Sequence, residues 1–129
     1  MTFTDNQIEC AKERISILFM EKFYDFISDV KATGGIGDEF GNKYGIILKQ
    51  ECADNKTKNT ISNILWFRSK IFSGGNIDFW IKNGFEKEII WALVRDGFLA
   101  EYEVGYKNVF YYIKADIAKN IFKKYKRTI

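Results

Sequence analysis

The chain has 129 residues, a formal net charge of +3, two Cys, and neither His nor Pro. This length fits one domain, or one domain with a helical arm, but not two full cores. Without His, no Ser–His–Asp or Cys–His nucleophile system can form, and two Cys do not complete a structural zinc site, which needs four ligands. Since no nucleophile–base pair can be named, we expect a protein that is not an enzyme and holds no metal or cofactor.

The charge is unevenly distributed along the chain. Residues 1–50 carry six basic and eight acidic side chains (net −2), whereas residues 107–129 carry seven basic and one acidic (net +6). A basic end favours contact with phosphate backbones, but a Lys-rich helix face in solvent gives the same count. No apolar run approaches the roughly 18 residues of a membrane span, and the acidic N-terminus is unlike a signal peptide. We therefore expect a cytoplasmic protein that makes no membrane contact, with Cys10 and Cys52 reduced.

The first predicted element is a long N-terminal helix. Thr4 followed by Gln7 forms a capping box, apolar residues recur at three- and four-residue steps, and Thr33-Gly34-Gly35 ends the helix. A helix with apolar residues on two sides either wraps its own domain or contacts a second chain. The second interpretation predicts a homodimer through three residues displaced around the helix axis: Ile17, Met20 and Tyr24.

Residues 34–58 are less regular. They are predicted to form a Gly-rich linker, a short strand over residues 44–49 and a polar loop over residues 52–58. The Gly-rich segment at residues 35–41 misses the G-x-G-x-x-G spacing and follows a helix instead of a strand, so a linker is favoured over a phosphate-binding loop. We divide the chain into residues 1–58, a helical arm with this linker and strand, and residues 59–129, a second domain.

From residue 59 onward, the sequence predicts four helices and a hairpin. The first helix is capped by Asn59 or Thr60, carries apolar residues up to Phe72 and stops at Gly74-Gly75. After a turn at residues 82–84, a third helix ends at Gly97. Strands over residues 98–104 and 109–113 alternate with a period of two and flank a hairpin loop, and a helix with a basic outer face follows. The short second helix begins after Asn76 and has one apolar face: Ile77, Trp80 and Ile81.

This order of helix, short helix, turn, helix, hairpin and helix resembles the winged helix-turn-helix superfamily over residues 59–127. The clearest segment is Ala92-Leu93-Val94-Arg95-Asp96-Gly97-Phe98-Leu99, which looks like the end of a recognition helix, followed by Phe110-Tyr111-Tyr112-Ile113 as a wing strand. The expected fold class is α+β and mostly helical: a winged helix-turn-helix with a long N-terminal helix and a C-terminal helix. The family's first strand, between its first two helices, has no counterpart in the sequence pattern.

In this family the third helix enters the major groove, and the wing contacts the backbone or the minor groove. The resemblance implies double-stranded DNA as the partner, and we expect a small transcriptional regulator. The short Ile-, Lys- and Asn-rich chain is typical of a phage, virus or mobile element. Arg95 is placed to read a guanine edge, and Lys87 and Lys107 to contact phosphates. The residues expected at the DNA are Lys82, Lys87, Arg95, Lys107, Asn108, Lys119, Lys123, Lys124, Lys126 and Arg127.

Two features favour another function. The predicted recognition helix, residues 85–96, has two basic and three acidic side chains (net −1), and Glu101 and Glu103 on the first wing strand repel phosphate. The alternative is a module that binds and inhibits a host protein, with Trp91 and Val94 as apolar anchors, although a core position is the favoured interpretation of Trp91. Alternation predicts that at most about two of the four hairpin aromatics are free to stack on bases: Tyr102, Phe110, Tyr111 and Tyr112.

Overall fold

The computed structural model describes residues 2–33 and 61–126. These residues form a mixed α+β fold that is mostly helical and contains a small antiparallel sheet. The predicted linker, the strand over residues 44–49, the loop with Cys52 and the predicted domain boundary lie outside the described residues. The elements are α1 (Asp5–Thr33), α2 (Ile61–Lys70), β1 (Gly74–Asn76), α3 (Ile77–Lys82), α4 (Lys87–Asp96), β2 (Leu99–Glu103), β3 (Val109–Ile113) and α5 (Ala115–Tyr125).

Helix α1 begins at the predicted capping box. The Thr4 backbone N–H donates to Gln7 Oε1 (2.8 Å), and the Gln7 backbone N–H donates to Thr4 Oγ1 (3.1 Å). Both bonds satisfy N–H groups that have no partner within the helix. The predicted N-terminal boundary is confirmed, and the helix continues to Thr33, where the prediction ends it.

The core is built largely from aromatic rings on α1 and α2. Phe67 of α2 lies 5.6 Å from Phe19, 5.5 Å from Phe23 and 5.4 Å from Phe26, measured between ring centroids. Phe122 of α5 meets Phe23 edge-on at 6.1 Å. Such edge and tilted contacts add to the energy of burying the rings. Helix α1 therefore shares one hydrophobic core with the helices and strands of residues 61–126.

The three strands pair in the order β1-β3-β2, and both pairings are antiparallel. The sequence pattern indicated no strand between α2 and α3, and this was wrong. The segment Gly-Gly-Asn has no alternating apolar side chains that would indicate a strand. It forms a strand because its backbone pairs with β3. Only glycine fits at residue 74: its φ is +153°, and a Cβ there would collide with the Tyr111 carbonyl oxygen.

Two other local expectations need correction. Helix α2 ends at Lys70 instead of continuing through Phe72, although the N–H groups of Ile71 and Phe72 still bond to the Phe67 carbonyl. Ile81, expected on the apolar face of α3, is 49% exposed, whereas Trp80 of the same six-residue helix is fully buried.

Candidate nucleic-acid interface

The turn between α3 and α4 sets the position of the predicted recognition helix. Asn76 caps α3 by accepting a hydrogen bond from the Phe79 N–H (3.0 Å), and Gly84 turns the chain at φ +89°. On either side of the turn, Trp80 and Phe85 are buried and meet edge-on at 5.6 Å. The Trp80 indole N–H donates to the Tyr111 carbonyl oxygen (3.2 Å). The two helices are therefore fixed to each other and to β3.

Helix α4 presents one exposed line of side chains. Lys87, Trp91 and Arg95 are four residues apart, so they lie on the same side of the helix, and all three are exposed. We call this set the α4 stripe. The buried side chains of the helix lie away from the stripe: Ile89, Ile90, Ala92 and Leu93.

The acidic residues near α4 add less negative charge to the surface of the α4 stripe than their number suggests. Asp96 forms an ion pair with Lys12, whose Nζ donates a hydrogen bond to Asp96 Oδ2 at 2.7 Å. This hydrogen bond is the main reason why the pKa of Lys12 is raised. Glu88 is half-buried. Glu86 is exposed, but it is the N-cap residue and lies before the first helical residue, Lys87. The stripe itself carries two cations, so the net charge of −1 counted along the sequence is not the charge of this surface.

Trp91 is exposed, in contrast to the core position favoured by the sequence. Its side chain is 40% exposed, whereas Trp80 is fully buried. The indole N–H donates to the Tyr111 hydroxyl (3.1 Å), which links α4 to β3. Lys87 Nζ lies 5.8 Å from the centroid of the Trp91 ring, within the range of a cation–π contact. The indole is thus contacted by Tyr111 through its N–H and by Lys87 over its ring.

Comparisons with protein-family models, curated proteins and solved structures return no significant match. In residues 2–33 and 61–126, no three Cys, Asp or Glu side chains are grouped as a metal site requires. Among the helices of these residues, none has the length and apolar character needed to cross a membrane.

The β2–β3 hairpin exposes an aromatic and basic tip. Gly105 and Lys107 both adopt positive φ, and the Val104 N–H donates to the Asn108 carbonyl across the loop. Tyr106 is 88% exposed, and Lys107 Nζ lies 5.1 Å from the centroid of its ring. Lys107 and Asn108 are exposed where the wing tip was predicted.

The strand register separates the acids of the hairpin from most of its aromatics. Glu101 pairs with Tyr111 and Glu103 with Val109, on the sheet face that packs against the helices. Of the four hairpin aromatics only Tyr111 is on this face, where it is buried. The other three share the opposite face, where Tyr102 is exposed and Phe110 and Tyr112 are half-buried. This agrees with the expectation that at most about two of the four are free, although the four do not divide equally between the faces.

Helix α5 forms a second basic surface. It packs against α2 and α1, whereas α4 packs against β2, α1 and α3. Its cations are exposed, but Lys124 lines a groove of about 460 Å³ together with Glu9 and Glu13 of α1. Arg127 lies outside the described residues, and Lys82 is exposed at the end of α3. The exposed cations of α5 and its end are Lys119, Lys123, Lys124 and Lys126.

The residues predicted to form a homodimer interface do not share one surface. Met20 is 3% exposed and belongs to the core of its own chain, so its place in the predicted interface was wrong. Tyr24 is half-buried beside Phe23, at 5.6 Å between ring centroids. Ile17 is 41% exposed, but two acidic residues flank it at four-residue spacing, Glu13 and Glu21. The homodimer stays a prediction that rests on Ile17 in an acidic setting.

Proposed function

We propose that this chain is a winged helix-turn-helix protein that binds double-stranded DNA and modulates transcription. The element order and the β1-β3-β2 sheet support this proposal. The family to which the sequence shows a resemblance has a first strand between its first two helices, and β1 occupies that position. In this arrangement α4 enters the major groove, and the β2–β3 hairpin is the wing.

The observation that carries the proposal is the α4 stripe. Lys87 and Arg95 are exposed on one side of the helix that would face DNA, while the nearby Asp96 is paired with Lys12. A guanidinium can bind the O6 and N7 atoms of guanine, which suits Arg95 to base reading. Lys87, together with Lys107 of the wing, would contact phosphates and set the position of the protein on the duplex.

The test is a titration of a random duplex of about 20 base pairs at salt concentrations from about 50 to about 200 mM. Each phosphate contact adds about 0.9 to the slope of log affinity against log salt. The Lys87→Ala/Arg95→Ala variant should bind more weakly with a smaller slope. The matched control is Lys119→Ala/Lys123→Ala, which removes the same charge from α5 and should have less effect. Absence of binding by the wild type at low salt would refute the proposal, and a larger loss in the control would move the interface to α5.

A second candidate function is the binding of a protein partner, as an inhibitor of a host protein. It is favoured by the exposed apolar side chains of the hairpin, among them Tyr102 and Tyr106, beside Glu101 and Glu103. Aromatic residues often dominate the energy of protein interfaces. The Glu101→Gln/Glu103→Gln variant separates the two functions. Its affinity for duplex should rise if the wing lies beside phosphates and stay unchanged if the wing serves a protein partner.

A further inference from the structure

The polar atom of the exposed Trp91 side chain already has a partner within the protein. An indole offers one donor and no acceptor, and here that donor is bonded to the Tyr111 hydroxyl at 3.1 Å. Tyr111 is buried, so this bond forms on the inner side of the ring, while 40% of the Trp91 side chain remains exposed. The part of Trp91 that reaches solvent therefore presents carbon atoms.

Helix α4 has few other means of distinguishing bases. Residues 87–96 contain no Asn, Gln, Ser or Thr to pair with base edges. Acids can accept from cytosine, but of the two acids in this helix Asp96 is paired with Lys12 and Glu88 is half-buried. In the α4 stripe, Trp91 lies between Lys87 and Arg95, one helical turn from each. A duplex held by the two cations would therefore bring base edges against the indole ring.

We propose that Trp91 recognises the C5-methyl group of thymine, so that the protein prefers duplexes with A·T pairs at this position. The proposal rests on the proposed function, binding of DNA through α4. The thymine methyl is the apolar group that base pairs display in the major groove, and it matches an apolar surface whose N–H is unavailable. Tyr111 is then a positioning residue, because its hydroxyl fixes the orientation of the indole.

The size of the effect follows from the area of one methyl group. Burying a CH₂-sized group contributes about 0.8 kcal/mol, which corresponds to about a fourfold change in affinity because 1.4 kcal/mol equals a factor of ten. A ratio of this size is measurable by fluorescence anisotropy. It is also small enough that the duplex without methyl groups should still bind through the phosphate contacts.

The experiment compares a duplex of alternating A·T pairs with the same duplex in which deoxyuridine replaces every thymidine. The two differ by the methyl groups and keep the same phosphates and base-pair hydrogen bonds. The wild type should bind the thymine duplex about four times more tightly. Trp91→Ala should abolish this ratio, while Lys107→Ala, which removes a phosphate contact away from the indole, should weaken both duplexes equally and preserve it. Tyr111→Phe should lower the ratio without removing a stripe residue, and circular dichroism verifies that each variant is folded.

Three results would contradict different parts of this inference: methyl recognition, the role of Trp91 and DNA binding itself. Equal wild-type affinity for the two duplexes would overturn methyl recognition while leaving DNA binding intact. A ratio that persists in Trp91→Ala would likewise overturn the role of this residue. Binding to neither duplex at low salt would remove the proposed function and, with it, this inference.

Discussion

The clearest stability prediction concerns Gly74, which allows β1 to pair with β3. We expect Gly74→Ala to lower the free energy of unfolding far more than Gly97→Ala. Both glycines have a backbone φ that residues with a side chain rarely adopt: +153° at Gly74 and +89° at Gly97. Their surroundings differ. A Cβ at Gly97 would meet no atom within 4 Å, whereas one at Gly74 would collide with the Tyr111 carbonyl oxygen and lie 2.9 Å from Tyr112 Cα.

The magnitudes follow from these contacts. An L-residue held at positive φ costs about 1 to 2 kcal/mol, and this is the whole effect expected at Gly97. At Gly74 the same strain applies, and the collision involves backbone atoms of β3, which no side-chain rotation relieves. The chain can relieve it by separating β1 from β3. The pairing of Gly74 with Tyr112 and the bond from the Ile113 N–H to the Ser73 carbonyl (2.8 Å) would then be lost. Each lost bond costs about 1 kcal/mol, so the total is about 3 kcal/mol or more.

Urea unfolding followed by circular dichroism measures both variants against the wild type. Gly97→Ala is the matched control, because it introduces the same methyl group and comparable backbone strain without the collision. If Gly74→Ala costs no more than Gly97→Ala, the reasoning about close approach at β1 is refuted. If the cost instead matches or exceeds about 3 kcal/mol, β1 is an essential part of the sheet.

The remaining predictions concern contacts between α1 and α4 or its preceding turn. Asp96→Asn should lower stability by about 0.5 kcal/mol, because the pair with Lys12 is partly exposed. The folded-state pKa of Lys12 is raised above 10.5, so the pair stabilises the fold fully below that pH and loses its effect as the pH rises through the raised value. Urea midpoints should decline less at alkaline pH in the Asn variant. Arg14→Lys should lower the midpoint of thermal unfolding by about 3 °C, because only the guanidinium both donates to the Gly84 carbonyl (2.9 Å) and stacks 4.3 Å from the Phe85 ring. An unchanged thermal midpoint would contradict this role.

The elements that were predicted correctly have signals contained in a few neighbouring residues. The Thr4–Gln7 capping box, the Asn76 cap and the Gly97 stop each depend on atoms within four residues, and each has its expected geometry. The alternating strands on either side of the hairpin loop were equally visible. Local physics of this kind can be read without knowing the partners of an element.

The features that were missed depend on distant partners. Gly74 forms a strand because it meets Tyr112, which lies far along the chain, and its own sequence carries no strand pattern. Apolar spacing placed Met20 on a dimer surface, although the core of the same chain covers it. The same spacing placed Ile81 on the apolar face of α3, but its side chain is exposed. Periodicity indicates which residues share a face, and the packing of other elements decides whether that face is covered.

The charge that α4 presents to a partner likewise depends on residues of other elements. The net charge counted from the residues of α4 includes Asp96 as an unpaired acid, whereas Lys12 of α1 forms an ion pair with it. The same count includes Glu88, which is half-buried. Neither fact can be derived from the residues of α4 themselves. With Asp96 paired, the acids of α4 and its N-cap that still repel phosphate are Glu88, half-buried, and Glu86. The hairpin adds two carboxylates that are both exposed and share a sheet face, Glu101 and Glu103. A wing that touches phosphates there must overcome two carboxylates, whereas one that touches a protein need not, so the charge of these two residues distinguishes the functions more sharply than that of α4.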